Sequence, residues 1–144
     1  MKIVIGNDHA GVNLKNNIIK YFSEIEWINV GTDSEKSVDY PDIALNASKK
    51  ILNNEACLGI LICGTGTGIG IAANKVKGIR AAMCFNEIMA EYARKHNNAN
   101  IVTLGARILG EELCFSIIKK FISTDFEGER HAKRVNKICA MEEL

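Results

Sequence analysis

Short apolar runs alternate along this chain with longer stretches in which apolar residues return every three to four positions. The runs Lys2–Ile5, Trp27–Val30, Leu58–Cys63, Ile79–Met83 and Ile101–Gly105 predict five strands. Between them, Val12–Tyr21 carries Leu14 and Ile18 one helical turn apart, and Asp42–Leu52 carries Ile43, Ala47 and Ile51 at the same step. Both spacings predict amphipathic helices, as do Asn86–Lys95 and Glu111–Ile122, the latter with Leu113, Ile117 and Phe121 on one stripe. The only proline, Pro41, suits the opening of the second helix, where a missing backbone donor costs little. A last helix is expected from about Glu129.

Strands alternating with helices are the pattern of βαβ units and a parallel sheet covered on both faces. The prediction is an α/β fold, a three-layer αβα sandwich around a Rossmann-like five-stranded parallel sheet, closed by a C-terminal helical tail. No linker-like segment, charge block or fixed-period repeat interrupts residues 1–144, so one domain is expected.

Composition narrows the function classes. Hydrophobic residues make up 47% and charged residues 24%, which excludes a disordered or collagen-like chain. Eighteen basic against 17 acidic residues leave +1, too little for a global field that gathers nucleic acid or anionic membrane. No nucleic-acid or membrane partner is expected, and an anion must be bound locally. The apolar run Leu58–Cys63 is far below the ~20 residues that span a bilayer. The start MKIVIGNDHAG lacks the apolar core of a secretory signal, so the expected compartment is the cytoplasm. The five cysteines form no CxxC pair, and an odd count leaves at least one thiol free, which fits a reducing compartment.

In a parallel sheet of this kind ligands sit beyond the carboxyl ends of the strands. That rule selects Asn7-Asp8-His9, the run Gly64–Gly70, Phe85-Asn86 and Ala106-Arg107. Cys63–Gly70 (CGTGTGIG) is the strongest local signal, because glycines let a chain turn sharply and bring backbone amides onto an anion. It fits neither the dinucleotide fingerprint nor the P-loop. A thiol beside converging amides and a helix start can serve as base or nucleophile, and Thr65 can relay a proton; the alternative for Cys63 is a buried small hydrophobe like Cys57 and Cys114. Asp8 and His9 would be exposed in the same crevice, contacting a sugar hydroxyl and a phosphate, or Asp8 caps the helix beginning near Gly11. His96, at a helix end, fits complementing the helix dipole. In the tail, Arg130, His131, Arg134 and Lys137 fall within about 120° on a helical wheel, a cationic face for phosphate or simply a solvated one. Metal binding is not expected, since the three histidines are far apart in sequence and no HxxxH or CxxC occurs.

Taken together these residues resemble the ribose 5-phosphate isomerase B family, which includes the galactose-6-phosphate and allose-6-phosphate isomerases. The resemblance rests on GNDHAG at 6–11, DYPD at 39–42, ICGTGTGIGIAANK at 62–75, GIRAA at 78–82, KHNNAN at 95–100, LGAR at 104–107 and EGERHAKRV at 127–135. It implies an aldose–ketose isomerase of phosphorylated sugars that works through a cis-enediolate without metal or nucleotide cofactor. It implies that Cys63 is the base moving a proton between C1 and C2, and that Thr65 assists between O1 and O2. Gly64, Thr65, Gly66, Thr67 and Gly68 would hold the enediolate oxygen, and His96 with Asp8 would open the sugar ring. His9, Arg130 and Arg134 would take the phosphate, with Asn97, Arg107 and Tyr40 completing the contacts and His131 a lesser candidate. A branch with Glu as base is not matched, because Ile69 stands at that place. The resemblance also implies a homodimer or homotetramer with active sites at the subunit interface. Asn7 and Phe85–Met89 depart from the family pattern. The substrate expected is ribose 5-phosphate, with allose or galactose 6-phosphate, or noncatalytic phosphosugar binding, as alternatives.

Overall fold

The computed structural model describes residues 1–144. Its strands are β1 (Lys2–Asn7), β2 (Glu26–Asn29), β3 (Leu58–Cys63), β4 (Ala81–Met83) and β5 (Ile101–Gly105), all parallel, in the order β2-β1-β3-β5-β4. The helices are α1 (Val12–Tyr21), α2 (Tyr40–Leu52), α3 (Thr67–Ala73), α4 (Glu87–Asn97), α5 (Glu111–Ile122) and α6 (Glu129–Ala140). No helix is long and apolar enough to cross a membrane.

The near-continuous apolar sequence of β3 follows from its place: it pairs with β1 and β5 and is buried on both faces. Alternate residues feed two cores. Ile60 and Ile62 join Ile3, Ile5, Leu104 and the inner stripes of α1, α4 and α5, while Leu61 and Cys63 join Val4 and the buried faces of α2 and α3. This is the three-layer sandwich that the periodicity predicts.

Six elements shift: β2 and α4 by one or two residues at their ends, and β1, α2, β4 and α3 for particular physical reasons. β1 runs on to Asn7, whose backbone pairs with Ile62, so the first candidate loop begins only at Asp8. α2 begins at Tyr40 rather than Asp42, with Pro41 in its first turn. β4 loses Ile79 and Arg80: Ile79 is buried, but Arg80 N–H donates to the Asn100 side chain and the edge of Ala81 is taken by Asn74, which both donates to and accepts from its backbone. α3 begins inside the glycine run, at Thr67, and its Gly68 and Gly70 leave room for close neighbours. A Cβ on Gly68 would lie 2.7 Å from Tyr40 Cζ, and one on Gly70 3.2 Å from Thr103 Oγ1.

Chain direction decides where functional groups can stand. α1 leaves β1 toward one face and α3 leaves β3 toward the other, so a crevice opens between the carboxyl ends of β1 and β3. Helix α4 returns from the carboxyl end of β4 to the amino end of β5, a run of about 16 Å for its 11 residues.

Candidate active site

The crevice floor is the end of β3. Cys63 is 4% exposed, and its Sγ accepts the Gly66 N–H at 3.1 Å. The chain turns at Gly66 with φ +79°, and a Cβ there would lie 2.9 Å from the Leu104 carbonyl carbon, so both conformation and space require glycine. The Gly66 carbonyl accepts the Thr103 hydroxyl at 2.8 Å, which locks the turn onto β5. Thr65 is exposed, and its Oγ1 accepts the Thr67 N–H at 3.2 Å. The Thr67 hydroxyl lies on the Met83 sulfur at 3.3 Å. The N–H groups of Gly64, Thr65, Gly68 and Ile69 make no backbone hydrogen bond. A cluster of unpaired amides therefore rims the thiol, which is the arrangement that stabilises an oxyanion.

Side chains from three loops wall this floor. Arg107 packs over Gly64, its Nη1 lying 3.1 Å from where a Cβ would stand, and Tyr40 lies against Gly68. His9 Nδ1 accepts the Val38 N–H at 3.3 Å, which leaves the proton of a neutral ring on Nε2. Asp8 corrects the expectation of an exposed charge: it is 6% exposed, its N–H bonds Ile62, and its carboxylate caps the turn His9–Gly11 through the Ala10 N–H at 2.9 Å. Behind it, Lys15 is wholly buried, donates to the Thr32 carbonyl at 2.8 Å and pairs with Asp33. Asn7 bonds the same carbonyl at 3.0 Å. This anchor holds the segment that leads to Val38 and Tyr40.

The cysteines divide by environment. Burial pushes Cys84 and Cys114 up to about 11, which makes them inert at neutral pH. Cys57, expected to be buried, is exposed, its thiol on the Lys2 carbonyl, because it lies just before β3 rather than within it.

The remaining candidates stand elsewhere. His96 and Asn97 end α4, and α6 packs against α4, with the Glu127 N–H donating to the Lys95 carbonyl at 3.1 Å. His96, Asn97, Arg130 and Arg134 thus occupy the amino edge of the sheet, opposite Cys63. Asp8 and His96 do not meet within one chain. His131 leaves the cationic face on which periodicity places it: it is 5% exposed and packs with Val135 beneath α6, its ring stacked on His96 at 4.2 Å. The fold also brings two histidines and Glu127 together despite their distance in sequence, their ligand atoms all within 4.8 Å. Glu127 is the member of this cluster that sequence reasoning misses; its signal is the four-residue spacing to His131.

A sequence profile of the ribose/galactose isomerase family matches residues 3–138. The chain belongs to that family. It is 42% identical to ribose-5-phosphate isomerase B of Escherichia coli, over 99% of this chain and 97% of that one. A putative sugar phosphate isomerase of Bacillus subtilis is 44% identical, over 99% and 98%. Among solved structures, ribose-5-phosphate isomerase B of Clostridium thermocellum superposes with a TM-score of 0.97 at 48% identity, covering 99% of this chain and 98% of that one. The fold described above is therefore the one that the Clostridium thermocellum structure shares.

Proposed function

We propose that this protein interconverts ribose 5-phosphate and ribulose 5-phosphate, with Cys63 as the base. The observation that carries the reading is the Cys63 thiol at the crevice floor, receiving the Gly66 N–H within a rim of unpaired amides, in a chain of the ribose/galactose isomerase family. In the aldose direction Cys63 takes the C2 proton of the open-chain sugar and returns it to C1. The amides hold negative charge on the enediolate oxygen, and Thr65 moves a proton between O1 and O2. The Gly66 N–H gives charge on the sulfur a hydrogen-bond partner.

The second part of the proposal concerns assembly. Asp8, His9, Tyr40, Cys63 and Arg107 stand at one edge of the sheet, and His96, Asn97, Arg130 and Arg134 at the other. A site that uses both sets takes each from a different copy, so the working unit is at least a homodimer with its sites at the subunit interface. Exposed apolar side chains on α4 and the loop before it, Phe85, Ile88, Met89 and Tyr92, support this reading.

The test is isomerisation of ribose 5-phosphate by EDTA-treated protein, with Cys63→Ala and His96→Asn variants alone and co-expressed. Each variant alone is expected to be nearly inactive in the aldose direction. A mixed dimer then holds one site with both residues intact and is expected to show about half the activity of the native dimer. No recovery on mixing overturns the shared site, full activity in Cys63→Ala overturns the base, and turnover of allose or galactose 6-phosphate alone overturns the substrate.

A further inference from the structure

Three aromatic rings form a column at the amino edge. Tyr92 stacks on His96 at 4.6 Å and 15°, and His96 stacks on His131 at 4.2 Å and 14°. Tyr92 and His96 lie one turn apart on α4, whereas Glu127 precedes α6 and His131 lies in its first turn. The Glu127 carboxylate stands 3.9 Å from His96 Nε2 and 4.0 Å from His131 Nε2. This contact is built at a cost. Gly128 and Glu129 both have positive φ, +74° and +46°, and for a glutamate that is a disfavoured conformation. The turn they make carries Glu127 and His131 back onto His96, and the Glu127 N–H fastens it to Lys95.

The cluster is poorly built for a metal ion. Rings within 14° of parallel point their lone pairs side by side instead of at one centre, and Arg130 Nε lies 3.5 Å from His131 Nε2, where it opposes a cation. What the arrangement does well is fix one imidazole: the plane of His96 is clamped between two rings, and its Nε2 end faces a carboxylate.

We propose that Glu127 and His131 are positioning residues that hold His96 for opening the sugar ring; this rests on the isomerase reading proposed above and on the ring-opening role that the family resemblance implies for His96. In that step the bond between C1 and the ring oxygen breaks, the ring oxygen gains a proton from His96, and the C1 hydroxyl gives its proton to a base. Asp8 of the other copy is that base. The product is the open-chain aldehyde that Cys63 then isomerises.

Chemistry supplies a readout that a merely structural role would not move. Ribulose 5-phosphate carries phosphate on the hydroxyl it would need to close a furanose ring, so it is already acyclic. The ketose-to-aldose direction can release an open-chain aldose that closes unaided. Initial rates are therefore measured in both directions for Glu127→Gln, His131→Ala, His131→Phe and His96→Asn. At enzyme levels where spontaneous ring opening cannot keep pace with turnover, Glu127→Gln and His131→Ala are expected to lose about tenfold in initial rate from ribose 5-phosphate and to stay within about twofold from ribulose 5-phosphate. His131→Phe, which keeps a ring on the stack, is expected to recover most of the loss. Equal falls in both directions, or no fall from ribose 5-phosphate, overturn the proposal. If His96→Asn loses only the aldose direction while the other variants do not, the positioning role fails alone. If His96→Asn shows no directional loss, the ring-opening role of His96 fails first.

Discussion

At the carboxyl edge of the sheet the candidate groups hang on backbone that the strands themselves fix: Cys63 ends β3, its loop is pinned to β5 through Thr103, and Asp8 follows β1. At the amino edge they hang on side chains stacked between two helices, α4 and α6, with a turn of two left-handed residues between the stacking partners. The first edge is rigid because parallel strands buried on both faces leave it no freedom. The second is held by contacts that one substitution can remove. The carboxyl edge is thus suited to the step that needs a fixed anion hole, and the amino edge to a step in which a proton is handed over and the sugar changes shape.

The sharpest way to separate the edges is Cys63→Ala. Loss of the proposed base should lower turnover about 10²- to 10⁴-fold in both directions, because the proposed enediolate lies on either path. Binding of ribose 5-phosphate, followed by calorimetric titration, should change only a few-fold. Amino-edge variants should instead act in one direction. A Cys63→Ala loss confined to ribose 5-phosphate would assign Cys63 to ring opening instead of the proton transfer and erase the distinction.

Rigidity itself can be compared with two alanines. Gly66→Ala meets both a positive φ and the backbone of β5 at 2.9 and 3.1 Å, neither of which can yield. The left-handed cost and the overpacking together should remove about 2–5 kcal/mol. Gly128→Ala carries only the backbone cost, about 1–3 kcal/mol, because nothing lies within 4 Å of its Cβ position. Urea unfolding orders the two, and the reverse order would show that the amino-edge turn is the tighter one.

The same contrast explains what was legible in the sequence. α1 and α5 match their predicted limits, Val12–Tyr21 and Glu111–Ile122, since each carries an apolar stripe that only a helix presents to one sheet face. The carboxyl-edge groups are legible because they follow strands and sit in a glycine pattern. The start of α3 at Thr67 is not, because its glycines read as loop before the expected helix start; they pack against Tyr40 and Thr103, which lie far away in sequence. Nor is the place of His131: the wheel puts it at the rim of the cationic arc, and only the packing of α6 on α4 decides that this rim is buried. Asp8 hides for a similar reason, its burial following from the extension of β1 by two residues.

Acid should find the amino edge first. Burial, with His96 and the nearby Arg130 and Arg134, holds His131 below the ordinary histidine value, against a smaller upward pull from Glu127. The folded state therefore resists a proton that the unfolded chain accepts. This contribution is fully present above about pH 6.5 and is lost as pH falls from there toward the lower native value. Thermal unfolding at a series of pH values should show the decline, and His131→Phe should flatten that part of it. At the other extreme, the Cys84 and Cys114 thiols, held protonated to about 11 in the fold, withdraw stability as pH rises past 9.

The smallest effect tests whether strain at the amino edge is tied to function. Glu129 has φ +46° in a position where glycine avoids the Cβ conflict, so Glu129→Gly should relieve about 1 kcal/mol of backbone strain. Part of that is offset by the greater freedom of glycine in the unfolded chain, leaving a gain of about 0.5 kcal/mol and a melting temperature higher by about 2 °C. Stability and the directional rate ratio then part company. Glycine leaves Gly128 and residue 129 free to rotate together, so Glu127 is held less firmly against His96. A more stable protein that is slower from ribose 5-phosphate and unchanged from ribulose 5-phosphate is the expected pair of results. A gain in stability with both rates intact would mean that the α4–α6 packing alone holds Glu127, and that the left-handed glutamate serves no purpose in the stack.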